Sequence, residues 1–131
     1  MPDNVESDTP IDPAAGSLVL SSDLPAILTN AGPKGSERFF DFFTSTIRNA
    51  NTRAAYFRAV LSFFNWLQKK RVTEFTAIRP VHVAAYIEEL QKIRSKPTVK
   101  QHLAAIRMLF DWLVIGHVMD TNPAHSVRAP K

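Results

Sequence analysis

From residue 36 to residue 115 the apolar side chains fall at helical spacing in four separate segments, and nowhere do they alternate as a half-buried strand requires. No pattern in the chain narrows the fold more. In residues 36–47, Phe39, Phe40, Phe43 and Ile47 share a side, with Ser36 expected as N-cap. In residues 51–69, Tyr56, Phe57, Val60, Leu61, Phe63, Phe64 and Leu67 form one broad stripe, with Asn51 the expected cap. Ala54, Ala55, Arg58, Ser62 and Asn65 are left on a small, polar opposite face. A third segment opens at Pro80, a favoured first helical residue, and carries Val83, Ile87 and Leu90 to about Lys92; Arg79 before it is a poor cap. The fourth runs from Pro97 to Ile115 with Val99, Leu103, Ile106, Phe110, Leu113 and Val114 inward, and Gly116 is expected as its left-handed stop. Lys100, Ala104, Arg107 and Asp111 gather on another side of that helix. The fold class is therefore all-α, a bundle of four to five helices.

The flanks read differently. Residues 1–35 hold five prolines and three glycines without a sustained apolar period, which predicts a disordered acidic tail with one apolar patch, Leu18-Val19-Leu20. Residues 36–119 are the expected helical domain. Residues 120–131, with Asn122-Pro123 and Ala129-Pro130, read as an exit linker.

Charge divides along the same line. Residues 1–33 carry five acidic residues and no Lys or Arg, whereas residues 34–131 carry all 16 basic residues against the remaining seven acidic ones. So basic a body calls for a polyanionic partner. The absence of cysteine excludes disulfide scaffolds, thiolate metal sites and thiol nucleophiles. Asp111 breaks the longest apolar run, residues 108–115, and the acidic start of the chain lacks a signal-peptide pattern, so no membrane partner is expected and the location is read as cytoplasmic.

Candidate chemistry is sparse. The four glycines form no phosphate-binding loop, and His82, His102, His117 and His125 have no metal-ligand spacing, so neither cofactor nor metal is expected. Adjacent Glu88 and Glu89 diverge by about 100° on a helix and cannot flank a substrate. Tyr56 and Tyr86 lie on or beside apolar stripes, where a core tyrosine with a hydrogen-bonded hydroxyl is the default; Trp66 and Trp112 read as packing near helix ends. No catalytic residue is assigned. By contrast, Arg53 and Arg58 on the second helix, and Thr98, Lys100, Gln101 and Arg107 on the fourth, decorate faces rich in alanine. Small residues let a helix approach a phosphate backbone, and helix N-termini present N–H groups to it.

Read in order, Asn51-Thr52-Arg53-Ala54-Ala55-Tyr56, Phe63-Phe64-Asn65-Trp66-Leu67, Pro80-Val81-His82-Val83-Ala84-Ala85-Tyr86-Ile87, the run Lys96-Pro97-Thr98-Val99-Lys100-Gln101-His102-Leu103-Ala104-Ala105-Ile106-Arg107 and the closing Asn122-Pro123-Ala124 resemble the core-binding domain of tyrosine recombinases, the phage-integrase family. The resemblance implies a SAM-like orthogonal bundle forming one jaw of a clamp on a recombination half-site, with two helices across the major groove of double-stranded DNA. It carries Asn51, Thr52 and Arg53 to one groove-facing helix and Thr98, Lys100, Gln101 and Arg107 to the other; Arg58 joins them from the helical wheel. It also implies a C-terminal catalytic domain of the same parent protein, whose tyrosine attacks the scissile phosphate, a recombinase oligomer on DNA, and a bacterial or phage source. The chain ends at Pro130-Lys131, where the linker to such a domain is expected, and neither tyrosine fits the nucleophile's motif. The H-x-x-R match at residues 125–128 lies in that linker and is assigned no role. This chain alone is therefore expected to bind DNA without nicking it. The competing expectation, from a different class, is a helical interaction module docking a partner protein through Trp66 and Trp112.

Overall fold

The computed structural model of the protein describes residues 24–131. Five α-helices follow one another: α1 (Ala26–Thr29), α2 (Gly32–Thr46), α3 (Ala50–Lys69), α4 (Pro80–Gln91) and α5 (Lys96–Ile115), with a 3-10 turn at Phe75–Ala77 before α4. No strand occurs among the described residues, in keeping with the all-α expectation. Helices α3 and α5, about 30 Å long at 1.5 Å per residue, form the central pair, and α2 and α4 pack on them.

Aromatic residues fill the space between the helices. Phe63, on the inner stripe of α3, has its ring 5.0 Å from Tyr86 of α4 and 6.2 Å from Phe110 of α5, while Phe64 reaches Phe39 of α2 at 5.7 Å and Phe75 at 5.6 Å. Phe39, Phe63, Phe64 and Phe110 are 0% exposed, as are Val83, Val99, Leu103, Leu109 and Leu113. Each ring buries on the order of 150–250 Å², so this cluster supplies much of the apolar area removed from water.

The structure departs from the sequence reading at the helix ends and flanks. Residues 24–35, expected in the tail, belong to the body: Ile27 and Leu28 are buried, and the Leu28 carbonyl accepts from Ser36 Oγ at 2.9 Å. Ser36 thus lies inside α2 and braces α1 instead of capping a helix. Gly32 turns the chain between them with a φ of 79°, in the left-handed region that favours glycine. Residues 1–23, including Leu18-Val19-Leu20, lie outside the described residues.

The caps shift too. Asn49, not Asn51, caps α3, accepting the Thr52 N–H at 3.0 Å, and Ser95 caps α5. Before α4, His82 Nδ1 accepts the Arg79 N–H at 2.9 Å, so the poor cap is served by the residue three positions on. Gly116 is not left-handed, with a φ of −85°; His117 takes that role with a φ of 64°. Gly116 instead leaves room for Arg38, whose Nε would stand 2.2 Å from any Cβ there. The Arg38 guanidinium stacks 3.5 Å over Trp112 and donates to the Trp112 carbonyl, and Trp112 Nε1 donates back to the Arg38 carbonyl at 2.9 Å.

The exit segment does not leave the body at residue 120. Met119, Ala124 and Val127 are buried, and Asn122 donates to the Arg107 carbonyl and to Asp111 Oδ1 at 2.8 Å. Residues 119–127 are laid along α5.

Candidate functional site

The side of α3 that faces away from the core carries Asn51, Arg58, Ser62, Asn65 and Lys69 at intervals of seven, four, three and four residues, which keeps them on one stripe. From Arg58 to Lys69 this stripe forms one wall of a groove on the described surface. The C-terminal end of α4 and the α4–α5 loop form the other, with Lys92, Ile93 and Arg94. Four cations, Arg58, Lys69, Lys92 and Arg94, thus converge on a single concavity whose one lining carboxylate is Glu89.

The floor is polar and joined up. Tyr86, 4% exposed on α4, donates its hydroxyl hydrogen to Ser62 Oγ at 2.9 Å, and its oxygen lies 3.3 Å from His102 Nδ1 on α5. Three helices therefore meet through one hydroxyl. Burial pushes the Tyr86 hydroxyl above its ordinary pKa, partly offset by the Ser62 hydrogen bond and the Arg94 charge. Burial pushes His102 below its ordinary value, and Arg94 adds to the same direction. Next to them Trp66 stacks on Phe63 and donates its indole N–H to Glu89 Oε1 at 3.1 Å. That bond gives the groove's carboxylate a fixed partner.

The eight residues expected to touch DNA do not form one surface. Asn51 and Arg58 are exposed on the groove stripe, and half-buried Thr98 stands only about 40° around α5 from His102 at 100° per residue. Gln101 is exposed about 100° around α5 from His102 and does not line the groove. Lys100 is exposed about 160° from His102, on the opposite side of α5. Thr52 is exposed, but its N–H is spent on the Asn49 cap.

Arg53 and Arg107 have other work. Arg53 turns toward α2 and donates to the Phe43 carbonyl at 2.9 Å and the Ile47 carbonyl at 2.7 Å, satisfying carbonyls at the end of that helix. Arg107 donates to the Ala124 carbonyl at 3.2 Å and to the Val127 carbonyl, and so binds the exit segment to α5. Periodicity placed both on faces correctly, but it could not say that chain from elsewhere covers those faces. Conversely, Ser62, Asn65 and Lys69 carry a helical signal that extends Arg58's stripe. Lys92 and Arg94 lie in a loop and carry none.

Comparison with known proteins gives the family. Residues 37–115 match the model of the phage integrase N-terminal SAM-like domain, over more than half of the chain. The chain belongs to that family. Tyrosine recombinase XerC from two strains of Listeria monocytogenes (serotype 4b F2365 and serovar 1/2a EGD-e) is 31% identical over 93 residues, and XerC of Listeria welshimeri is 29% identical over the same length. The aligned stretch is 69% of this chain and 31% of each relative, so this SAM-like domain corresponds to about a third of those proteins. No solved structure matches it significantly. The tryptophans of this SAM-like domain, the expected anchors of a protein-docking module, are both half-buried and both spend their indole N–H inside the fold. No described helix is long and apolar enough to cross a membrane.

Proposed function

We propose that this SAM-like domain is the DNA-binding jaw of a cytoplasmic tyrosine recombinase and grips one recombination half-site with the groove between α3 and the α4–α5 loop. The convergence of Arg58, Lys69, Lys92 and Arg94 on one concavity supports this reading most directly. The cations hold phosphates, and Asn65, exposed in the groove, with Asn51 and Gln101, exposed outside its lining, are the side chains available for base edges. Strand cleavage belongs to a C-terminal catalytic domain of the parent protein, and assembly of paired sites to a recombinase oligomer. Arg53 and Arg107 contribute by holding the jaw's shape. Lys100 contributes long-range attraction.

Fluorescence anisotropy with labelled duplex DNA across a salt series tests this. Arg58→Gln/Arg94→Gln is expected to weaken binding and to lower the slope of log K against log salt by ~1.8, since each lost phosphate contact removes about 0.9. Lys100→Gln is expected to change the slope by less than half as much as either groove substitution alone. Equal effects of Lys100→Gln and of either groove substitution would refute the groove assignment.

A further inference from the structure

Among the described residues, the exposed large apolar side chains are Phe40, Val81, Ile93, Met108 and Ile115, and of these only Ile93 lines the cationic groove. It is 70% exposed and stands in sequence between Lys92 and Arg94, which line the same concavity. Backbone hydrogen bonds fix its position. The Lys92 N–H donates to the Glu89 carbonyl at 3.1 Å, and the Ile93 and Arg94 N–H groups both donate to the carbonyl of buried Leu90, at 3.1 and 2.9 Å. The turn therefore holds a branched apolar side chain out in water between two cations, with Arg58 and Lys69 on the opposite wall.

Charge decides what can cover that side chain. An apolar protein surface would bury Ile93 only by drawing Lys92 and Arg94 out of water with it, and unpaired buried charge costs more than one isoleucine returns. A nucleic-acid duplex satisfies both kinds of group. Its phosphates take the cations, and the base edges lie between its two phosphate rows. A minor groove about 6 Å wide does not admit a helix about 10 Å across, so the α3 wall directs the site to the major groove. The apolar feature of the base edges there is the thymine C5 methyl. Isoleucine has neither donor nor acceptor in its side chain, so this methyl is the group it can distinguish.

We propose that Ile93 is a base-reading residue, packing on a thymine C5 methyl in the major groove while Lys92 and Arg94 hold the flanking phosphates. The proposal rests on the DNA-binding reading of the groove given above and adds sequence preference to it. Phosphate contacts set register without reading sequence, whereas Ile93 favours a thymine at the position it meets.

Fluorescence anisotropy of the full chain on two A·T-only duplexes, identical except that one carries deoxyuridine for every thymidine, isolates the methyl. The thymidine duplex is expected to bind about fourfold more tightly, the factor that burying one methyl group gives. Ile93→Ala should bind the two duplexes equally, and Ile93→Val, which keeps a branched apolar surface, should keep most of the preference. Equal affinity of the parent chain for the two duplexes, or a thymidine preference that survives Ile93→Ala, overturns the proposal. Arg58→Gln/Arg94→Gln, measured on the same pair, should weaken binding to both duplexes alike and keep the preference. Binding that needs these arginines but ignores the methyl removes the role of Ile93 and leaves the groove reading in place. Binding that ignores the arginines, or no binding to either duplex at low salt, overturns both.

Discussion

Replacing Arg107 by Ala tests whether the exit segment is part of the folded domain. Arg107 donates to the Ala124 carbonyl at 3.2 Å and to the Val127 carbonyl, and its own carbonyl accepts from Asn122. A hydrogen bond from a charged group contributes about 1.5–3 kcal/mol net. Half-burial of the side chain puts each of the two bonds near the low end, for a sum of roughly 3 kcal/mol if both are lost. Some of this returns as water reaches the freed carbonyls, which leaves about 2 kcal/mol. For a domain of this size each kcal/mol shifts the midpoint by about 4–8 °C, so Arg107→Ala should melt roughly 8–16 °C lower. Arg107→Lys should recover part of the loss, because one ammonium cannot match a guanidinium fork across two carbonyls. The assay is thermal denaturation followed by circular dichroism, paired with limited proteolysis, which should cut the variant within residues 119–128. A midpoint within about 2 °C of the parent, with the exit segment still protected, would refute the reasoning.

Three further outcomes follow from the same geometry. Gly116→Ala should cost about 1–3 kcal/mol, because the new Cβ evicts Arg38 from the Trp112 carbonyl and ring; Arg38→Ala should cancel most of that penalty in a double-mutant cycle, and full additivity would refute the link. Asn49→Ala should lose about 1 kcal/mol by urea denaturation as the α3 cap goes, while Asn51→Ala should change stability by less than about 0.5 kcal/mol. Burial holds His102 below its ordinary pKa, so the unfolded chain binds that proton more readily. Its contribution is fully present above the ordinary value near 6.5 and is lost as pH falls from there through the lower folded value; His102→Gln should flatten urea stability over that window, and an unchanged slope would refute the assignment.

Helical period announces itself wherever one face of a segment is covered and the other is wet. Val60, Phe63, Phe64 and Leu67 on α3, and Leu103, Ile106, Phe110 and Leu113 on α5, are inner positions in the sequence and are 0–1% exposed in the fold. Tyr86 likewise reads as a core tyrosine with a bonded hydroxyl and is one. The flanks were opaque because Pro and Gly punctuate helix ends as readily as they fill tails: Pro25, Gly32 and Pro33 border α1 and open α2. Of the expected DNA contacts, Arg58 lines the groove. Arg53 and Arg107 look the same in sequence as Arg58, an arginine beside alanines, yet each meets carbonyls brought from another segment.

What the sequence determined by itself, then, is the set of short-range facts: where helices run, which side of each is apolar, how charge divides between the first 33 residues and the rest, and the succession of motifs that marks the phage-integrase family. Only the tertiary structure decided which cations remain free. A carbonyl at Phe43, Ala124 or Trp112 is invisible as a partner until packing carries it to Arg53, Arg107 or Arg38, because hydrogen bonds over long sequence separation leave no period behind. By the same packing, Lys92 and Arg94, from a loop without pattern, are set opposite Arg58 and Lys69 across the groove.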